Sequence, residues 1–330
     1  MPRMKLNFKK HGARISKDVT KLAAIVIVCA ACFPISSLAQ QAGQKTFSSA
    51  EDASKALVSA AQSNDEKAMI DILGSDGKQI VSSGDDAEDA KSRASFVKRY
   101  EEMHRLVKEP DGTTILYIGA ENWPTPIPLM NKGSAWYFDT EAGKREILYR
   151  RIGRNELSTI RVCQELVAAE KEYKTEHSEY AAKIYSDEGQ HDGLYWKVAD
   201  GGQPSLIGPL VAAAVTEGDV KNRDMPAMPY RGYYFHILAR QGKNASGGSK
   251  SYDVNGKMTD GFAVVAYPAE YRSSGVMTFV VGADGVVYEK DLGKKTGTAK
   301  ALKEYNPDSS WKKTSVEDQQ EETTAAQTAK

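Results

Sequence analysis

The sequence predicts an α+β fold in two halves, each with helices packed on an antiparallel sheet. Two observations carry this prediction. Apolar residues at helical spacing open each half, and β-rich runs bounded by glycine, proline and aspartate follow them. The predicted order is a signal peptide at 1–39, a flexible lead-in at 40–48, a first unit at 49–153, a second unit at 154–305 and a disordered tail at 306–330.

Residues 1–39 have the three parts of a secretory signal peptide. A basic segment comes first, and twelve apolar residues follow at 22–33. Twelve residues rise only about 18 Å as a helix, which is too short to cross a hydrocarbon core of about 30 Å. We expect cleavage between Ala39 and Gln40, after small residues, and a periplasmic protein. Lipid anchoring at Cys32 and a short uncleaved anchor are the alternatives.

The chain that remains after cleavage has about 290 residues, enough for one large domain or two ordinary ones. Loss of the leader takes the net charge from 0 to about −6. This argues against a nucleic-acid partner, because phosphates attract clustered lysine and arginine. No transmembrane segment is predicted in the mature chain. Cys163 is the single cysteine beyond the leader, which excludes an intramolecular disulfide and a thiolate metal cluster.

The first unit is predicted to contain helices followed by strands. Its helices are expected at 50–61, about 65–73 and about 90–107. Ser49 is expected to cap the first of them. Its strands are expected at 113–119, 134–139 and 145–150. The last two are predicted to form a hairpin through the glycine-containing segment 140–144.

The second unit is predicted to begin with the strongest helix of the chain, at about 156–185 and capped by Asn155. Its apolar residues recur mostly at intervals of three, four or seven, so one stripe faces a core and contains Cys163 as a packed thiol. A short helix near 205–216 follows. Strands are expected at 231–240, 261–267, 275–281 and 285–290. The last two are predicted to be joined by a turn at Asp284–Gly285.

Several stretches of the sequence resemble one family of exported bacterial proteins. They are WYFDTEAG at 136–143 with RRIGRNE at 150–156, PYRGYYF at 229–235, and FAVVAYPAEY at 262–271 continuing to YEKDLG at 288–293. Together they resemble the domain-of-unknown-function 2950 family over about residues 46–311. The resemblance implies a periplasmic protein, and it supplies no assigned activity and no catalytic residues.

Two further likenesses concern the fold alone. Residues 49–153 look like a cystatin-like or nuclear-transport-factor-2-like unit, with helices on a curved sheet. Residues 155–293 resemble the soluble part of a type IV pilin, in which a long helix lies across an antiparallel sheet. The long helix here is internal and amphipathic, whereas pilins assemble through a hydrophobic N-terminal helix. A likeness of fold does not give a function.

Aromatic and arginine side chains near loop and strand ends of the second unit predict a ligand or partner surface, because interfaces favour these residue types. The residues are Tyr195, Trp196, Tyr230, Arg231, Tyr271 and Arg272. Core packing is the alternative for each of them.

The densest polar cluster of the sequence could hold a divalent cation. Its members are Asp187, Glu188, His191 and Asp192, which carry carboxylate and imidazole ligand groups. Their spacing matches no EF-hand or zincin pattern, and a plain surface loop is the alternative.

The sequence lacks the usual motifs of nucleophilic catalysis and of phosphate or dinucleotide binding. We therefore expect no cofactor. The predicted function is a non-enzymatic binding or interaction module of the cell envelope, with an envelope protein as its partner, and the sequence identifies no small-molecule ligand. The alternatives are a metal-dependent or hydrolytic periplasmic enzyme that uses His191, and a pseudopilin-like structural subunit.

Overall fold

The structure, a computed structural model, describes residues 41–198, 202–214 and 227–314. Helices and antiparallel sheets make up these residues, which confirms the predicted α+β class. The predicted signal peptide, with Ala39, Gln40 and Cys32, lies outside the described residues. No helix in the described ranges is long and apolar enough to cross a membrane.

The first half packs helices against an antiparallel sheet. The helices are α1 (Ala50–Gln62), α2 (Glu66–Leu73), α3 (Lys78–Val81) and α4 (Asp86–Glu102), with a 3₁₀ turn at Ser75–Gly77 before α3. The strands are β1 (His104–Lys108), β2 (Thr114–Ile118), β3 (Trp123–Pro124), β4 (Leu129–Lys132) and β5 (Ala135–Phe138). Their order is β1–β2–β4–β5, and β3 pairs with β2. The core between the layers includes Val58, Ile72, Leu116 and Phe138.

The first helices are close to their predicted ranges, and the third differs at both ends. The Ser49 hydroxyl oxygen accepts a hydrogen bond from the Asp52 amide at 3.0 Å, which confirms the predicted cap. Helix α4 begins earlier than predicted because the Asp85 carboxylate accepts hydrogen bonds from the first amides of the helix. It also ends earlier, because Met103 adopts an extended backbone and residues 104–108 pair with β2.

The predicted hairpin between 134–139 and 145–150 is wrong. Strand β5 pairs with β4, and residues 145–150 lie in the helix α5 (Thr140–His177). Asp139 starts this helix, since its Oδ1 accepts a hydrogen bond from the Ala142 amide at 2.9 Å. A Cβ on Gly143 would come within 2.7 Å of Ile127, so this glycine allows close packing of the helix and is not a turn residue.

Helix α5 begins about four turns before the predicted cap and ends about two turns earlier than predicted. Asn155, the predicted cap, lies inside the helix, and its Nδ2 donates to the Ser274 carbonyl oxygen at 2.8 Å. The helix ends where Ser178 adopts a left-handed backbone with φ of 62°. The predicted boundary between the two units therefore falls within one continuous helix.

The second half is built on a sheet with the order β14–β13–β12–β11–β6. The longer strands are β6 (Tyr233–Leu238), β11 (Ala263–Pro268), β12 (Met277–Gly282) and β13 (Val287–Asp291). The short strands are β7 (Arg240–Gln241), β8 (Lys250–Ser251), β9 (Asp253–Val254), β10 (Lys257–Met258) and β14 (Lys312–Lys313). Pairing of β12 with β13 confirms the hairpin predicted across Asp284–Gly285.

Helix α5 packs on β11, β12 and β13, and the second core lies between them. Cys163, Leu166, Val265 and Phe279 are fully buried there. Burial raises the pKa of the Cys163 thiol to about 12, in agreement with a packed, unreactive thiol. The predicted helix near 205–216 is shorter where it is described, as α6 (Pro209–Ala213).

The prediction of a disordered tail at 306–330 is wrong for residues 306–314. Residues 306–314 are described, and β14 pairs with β13. The Thr314 amide also donates to the Val287 carbonyl oxygen at 3.0 Å. Trp311 explains the order, because it packs against the second core and lies below the ammonium group of Lys290. Residues 315–330 lie outside the described ranges.

Candidate functional site

A cavity of about 410 Å³ opens between helices α1 to α4 and the first sheet. Its walls are mostly apolar. The wall residues include Leu57 and Ala61 of α1, Met69 of α2, Ile80 of α3, Phe96 of α4 and Leu116 of β2. Because the four helices come from separate stretches of sequence, the cavity exists only in the folded first half.

The short helix α3 and the loop after it form one side of the cavity mouth. The Ser83 amide donates to both carboxylate oxygens of Asp89, at 3.1 and 2.9 Å. Hydrogen bonds from the Ser83 side chain and backbone lower the pKa of Asp89. The Asp89 carboxylate therefore binds the loop after α3 to helix α4.

Arg93 of α4 also connects this helix to its neighbours, and it lines the cavity. Its Nε donates to Asn64 Oδ1 at 2.8 Å, and its Nη1 reaches the Val81 carbonyl oxygen at 3.5 Å. The guanidinium therefore links α4 to the end of α3 and to the turn before α2. The rest of its donor capacity has no hydrogen-bond partner in the ranges that the structure describes.

Trp123 also lines the cavity and is 40% exposed. Two guanidinium groups lie over its ring, with Arg150 at 5.0 Å and Arg99 at 5.9 Å from the ring centroid. Arg150 is fixed in turn by Glu146, at 2.7 Å, and by the Pro124 carbonyl oxygen, at 2.8 Å. These contacts hold a large aromatic face at the entrance of an apolar cavity.

Four residues of the predicted partner surface lie on neighbouring loops. The Ala269 amide donates to the Gly232 carbonyl oxygen at 2.9 Å, which joins the loop of Tyr230 and Arg231 to the loop of Tyr271 and Arg272. Each arginine is exposed and lies over the ring of the tyrosine before it, at 5.9 Å and 5.3 Å from the centroid. Whether these four residues contact a partner stays a prediction.

Tyr195 and Trp196 have other surroundings. The Tyr195 ring packs on Tyr185 at 5.0 Å between centroids. Trp196 is 4% exposed, stacks on His191 at 4.3 Å, and donates from Nε1 to the Gln203 carbonyl oxygen at 3.0 Å. A buried indole with its donor satisfied offers no face to a partner, so Trp196 packs the protein interior instead.

The four predicted metal ligands stay in one loop, but their side chains have other contacts. Lys183 Nζ lies 2.7 Å from carboxylate oxygens of both Asp187 and Asp192. His191 stacks on Trp196, and Glu188 is exposed. Across the described residues, no group of three or more histidine, cysteine, aspartate or glutamate side chains is placed to hold a metal ion. The geometry therefore gives the metal prediction no support.

Comparison with known proteins places the chain in a family. The model of a protein family of unknown function, DUF2950, matches residues 44–314. The chain belongs to the DUF2950 family. This confirms the resemblance seen in the sequence, and the match includes every element of the described fold. No curated protein and no solved structure matches the chain. The cystatin-like and pilin-like likenesses therefore stay predictions.

Sequence reasoning did not find the cavity of this DUF2950 protein. Its wall residues look like ordinary core positions of amphipathic helices, and nothing in their spacing shows that the helices leave a space between them. The one local signal was Trp123, an aromatic residue in a proline-rich stretch where a buried strand is not expected.

Proposed function

We propose that the mature chain is a non-enzymatic binding module of the cell envelope, whose ligand places its apolar part in the cavity of the first half. The cavity itself carries the proposal. A space of about 410 Å³ falls within the range of small-molecule sites, roughly 300–1,000 Å³.

The chemistry of the cavity supports a binding role over a catalytic one. Leu57, Met69, Phe96 and Leu116 supply dispersion contacts and remove apolar ligand surface from water. The polar groups lie at the mouth, where they can orient a ligand.

The metal-dependent enzyme has less support. Asp187, Glu188 and Asp192 line a second pocket of about 1010 Å³, but Lys183 pairs with both aspartates, and no three potential ligands in the described residues are placed to hold a metal ion. For the pseudopilin subunit, the packing of α5 on an antiparallel sheet is a likeness of fold, which does not give a function.

Filling the cavity is expected to weaken ligand binding. The apolar dye N-phenyl-1-naphthylamine should bind the chain 40–330 and brighten. In Ala61→Phe, the new ring takes up space in the cavity, so the affinity for the dye should fall at least about ten-fold. Fluorescence titration gives the two dissociation constants.

A pair of matched variants controls for changes in the fold. Ser92 and Ser95 are both exposed on α4, but only Ser92 lines the cavity. Ser92→Trp should weaken dye binding and Ser95→Trp should not, with both variants keeping the thermal unfolding midpoint of the parent. Dye binding that survives both Ala61→Phe and Ser92→Trp would exclude the cavity as the site.

The proposed location in the periplasm rests on the predicted leader. The fold is anchored directly after the predicted cleavage site, which supports processing there. Gln41 Oε1 accepts from the Asp76 amide, and its Nε2 donates to the Asp76 carboxylate, both at 3.1 Å. Mass spectrometry of the protein from the periplasmic fraction should find Gln40 as the first residue. An acylated Cys32, or an intact Met1, would contradict this.

A further inference from the structure

The cavity mouth contains a cationic group with unused hydrogen-bonding capacity. Arg93 is half-buried, and two contacts, with Asn64 and the Val81 carbonyl, fix its orientation. A guanidinium has five N–H donors, and these contacts use two of them. Its Nη2 donors have no hydrogen-bond partner in residues 41–198, 202–214 and 227–314.

The neighbouring uncharged groups at the mouth add further donors. The Ser92 hydroxyl and the Gln79 amide line the cavity, and neither has a hydrogen-bond partner within the described parts of the chain. Two carboxylates also line the cavity. Hydrogen bonds from Ser83 and, to a smaller extent, the charge of Arg93 lower the pKa of Asp89, so this carboxylate lies near the guanidinium in its ionised form. Glu88 is exposed, so water and salt screen its charge.

We propose that the ligand is an amphiphile with an aliphatic chain and an anionic head, either a carboxylate or a phosphate, and that Arg93 binds the head while the cavity takes the chain. The proposal rests on the function proposed above and specifies its ligand. Guanidinium groups suit these anions because two parallel N–H donors match two acceptor oxygens. A fixed guanidinium loses little conformational freedom when the head binds.

The test compares ligands that share a chain and differ in the head. Dodecanoate, dodecyl phosphate and dodecanol, each below the concentration at which it forms micelles, compete with the dye for the chain 40–330. We expect the better of the two anions to bind at least about ten-fold more tightly than dodecanol, as for a hydrogen bond to a charged group. The tighter of the two anions identifies the head group.

Variants at the mouth assign the effect to Arg93. Arg93→Gln should weaken the preferred anion about ten-fold or more and change dodecanol affinity by less than about two-fold. Arg93→Lys should be intermediate, since it keeps the charge and loses the paired donors. Lys91→Gln removes the same charge two residues away on α4, from a side chain that does not line the cavity, and should change neither ligand.

The outcomes separate this proposal from the more general one. Equal binding of dodecanol and both anions, or an equal loss in Lys91→Gln and Arg93→Gln, would overturn the anionic head while the apolar site stands. If Arg93→Gln loses binding of both dodecanol and dye and also has a lowered thermal unfolding midpoint, the test of the anionic head rests on Arg93→Lys. Retention of anion selectivity in Arg93→Lys supports the proposal, and its absence in a stable Arg93→Lys overturns it. If dye and all three amphiphiles fail to bind, the proposed function itself is wrong.

Discussion

Replacing Glu170 with glutamine is expected to remove a large part of the decrease in stability between pH 5 and pH 8. Glu170 lies on α5 and is 0% exposed. Its Oε2 accepts a hydrogen bond from the Ala181 amide at 2.9 Å, and its Oε1 has no partner in the described parts of the chain. Burial raises the pKa of this carboxyl to about 8, from 4.5 in an ordinary environment, against the smaller lowering by the Ala181 amide.

The sign of this pH dependence follows from the number of protons that the folded and unfolded states bind. Between pH 4.5 and pH 8 the folded protein keeps a proton on Glu170 and the unfolded chain does not. The free energy of unfolding therefore falls as the pH rises through this window, by about 1.4 kcal/mol per pH unit from this group. Below pH 4.5 and above pH 8, Glu170 contributes no further dependence.

Urea unfolding at pH 5, 6, 7 and 8 tests this prediction. From pH 5 to pH 8 the parent should lose about 3 kcal/mol more than Glu170→Gln, because glutamine keeps the acceptor for Ala181 and has no proton to lose. Glu165→Gln is the matched control, since Glu165 is exposed on the same helix. Parallel pH profiles for the parent and Glu170→Gln would show that the buried carboxyl does not titrate in this window.

Gly275→Ala is expected to lower the free energy of unfolding by about 3 kcal/mol. A Cβ at Gly275 would lie 2.1 Å from Tyr233 Oη and 2.5 Å from its Cζ. Tyr233 is fully buried, and its hydroxyl donates to the Met277 carbonyl oxygen at 3.0 Å. The ring cannot move aside without leaving its place in the second core and losing this hydrogen bond, so overpacking and hydrogen-bond loss combine.

At a second glycine, Gly153, substitution by alanine is expected to raise the free energy of unfolding. Gly153 lies inside α5, and a Cβ there would meet nothing within 4 Å. Gly153→Ala should therefore raise the free energy of unfolding by about 0.5–1 kcal/mol, as expected for a helix interior. Urea unfolding at pH 7 measures both variants. A Gly275→Ala protein as stable as the parent would mean that the loop can move away from Tyr233.

The elements that sequence predicted best are those fixed by local chemistry. Ser49 caps α1 through a hydrogen bond three residues away, and Asp284–Gly285 closes the hairpin of β12 and β13. The sequence misassigns residues 145–150 because their apolar run, Ile147 to Tyr149, is too short for its periodicity to separate a strand from a helix. The cap at Asp139 and the packing of Gly143 on Ile127 decide in favour of the helix, and only the latter depends on distant residues.

The candidate site was less accessible to sequence reasoning, for a physical reason. A cavity is a property of the distances between elements, and Leu57, Met69, Phe96 and Leu116 come together only when α1, α2, α4 and β2 pack. Composition did point to aromatic and arginine residues, but it could not separate the buried Trp196 from the exposed arginines. That distinction depends on the whole fold.

The most direct test of a ligand site in the first half is a methyl NMR titration of the chain 40–330 with dodecanoate. We expect saturable chemical-shift changes at methyl groups that line the cavity, those of Leu57, Met69 and Leu116. The methyl signals of the second core, such as those of Leu166 and Val265, should keep their positions. Shifts confined to the second core, or no shifts at all up to the solubility limit of the ligand, would contradict a ligand site in the first half.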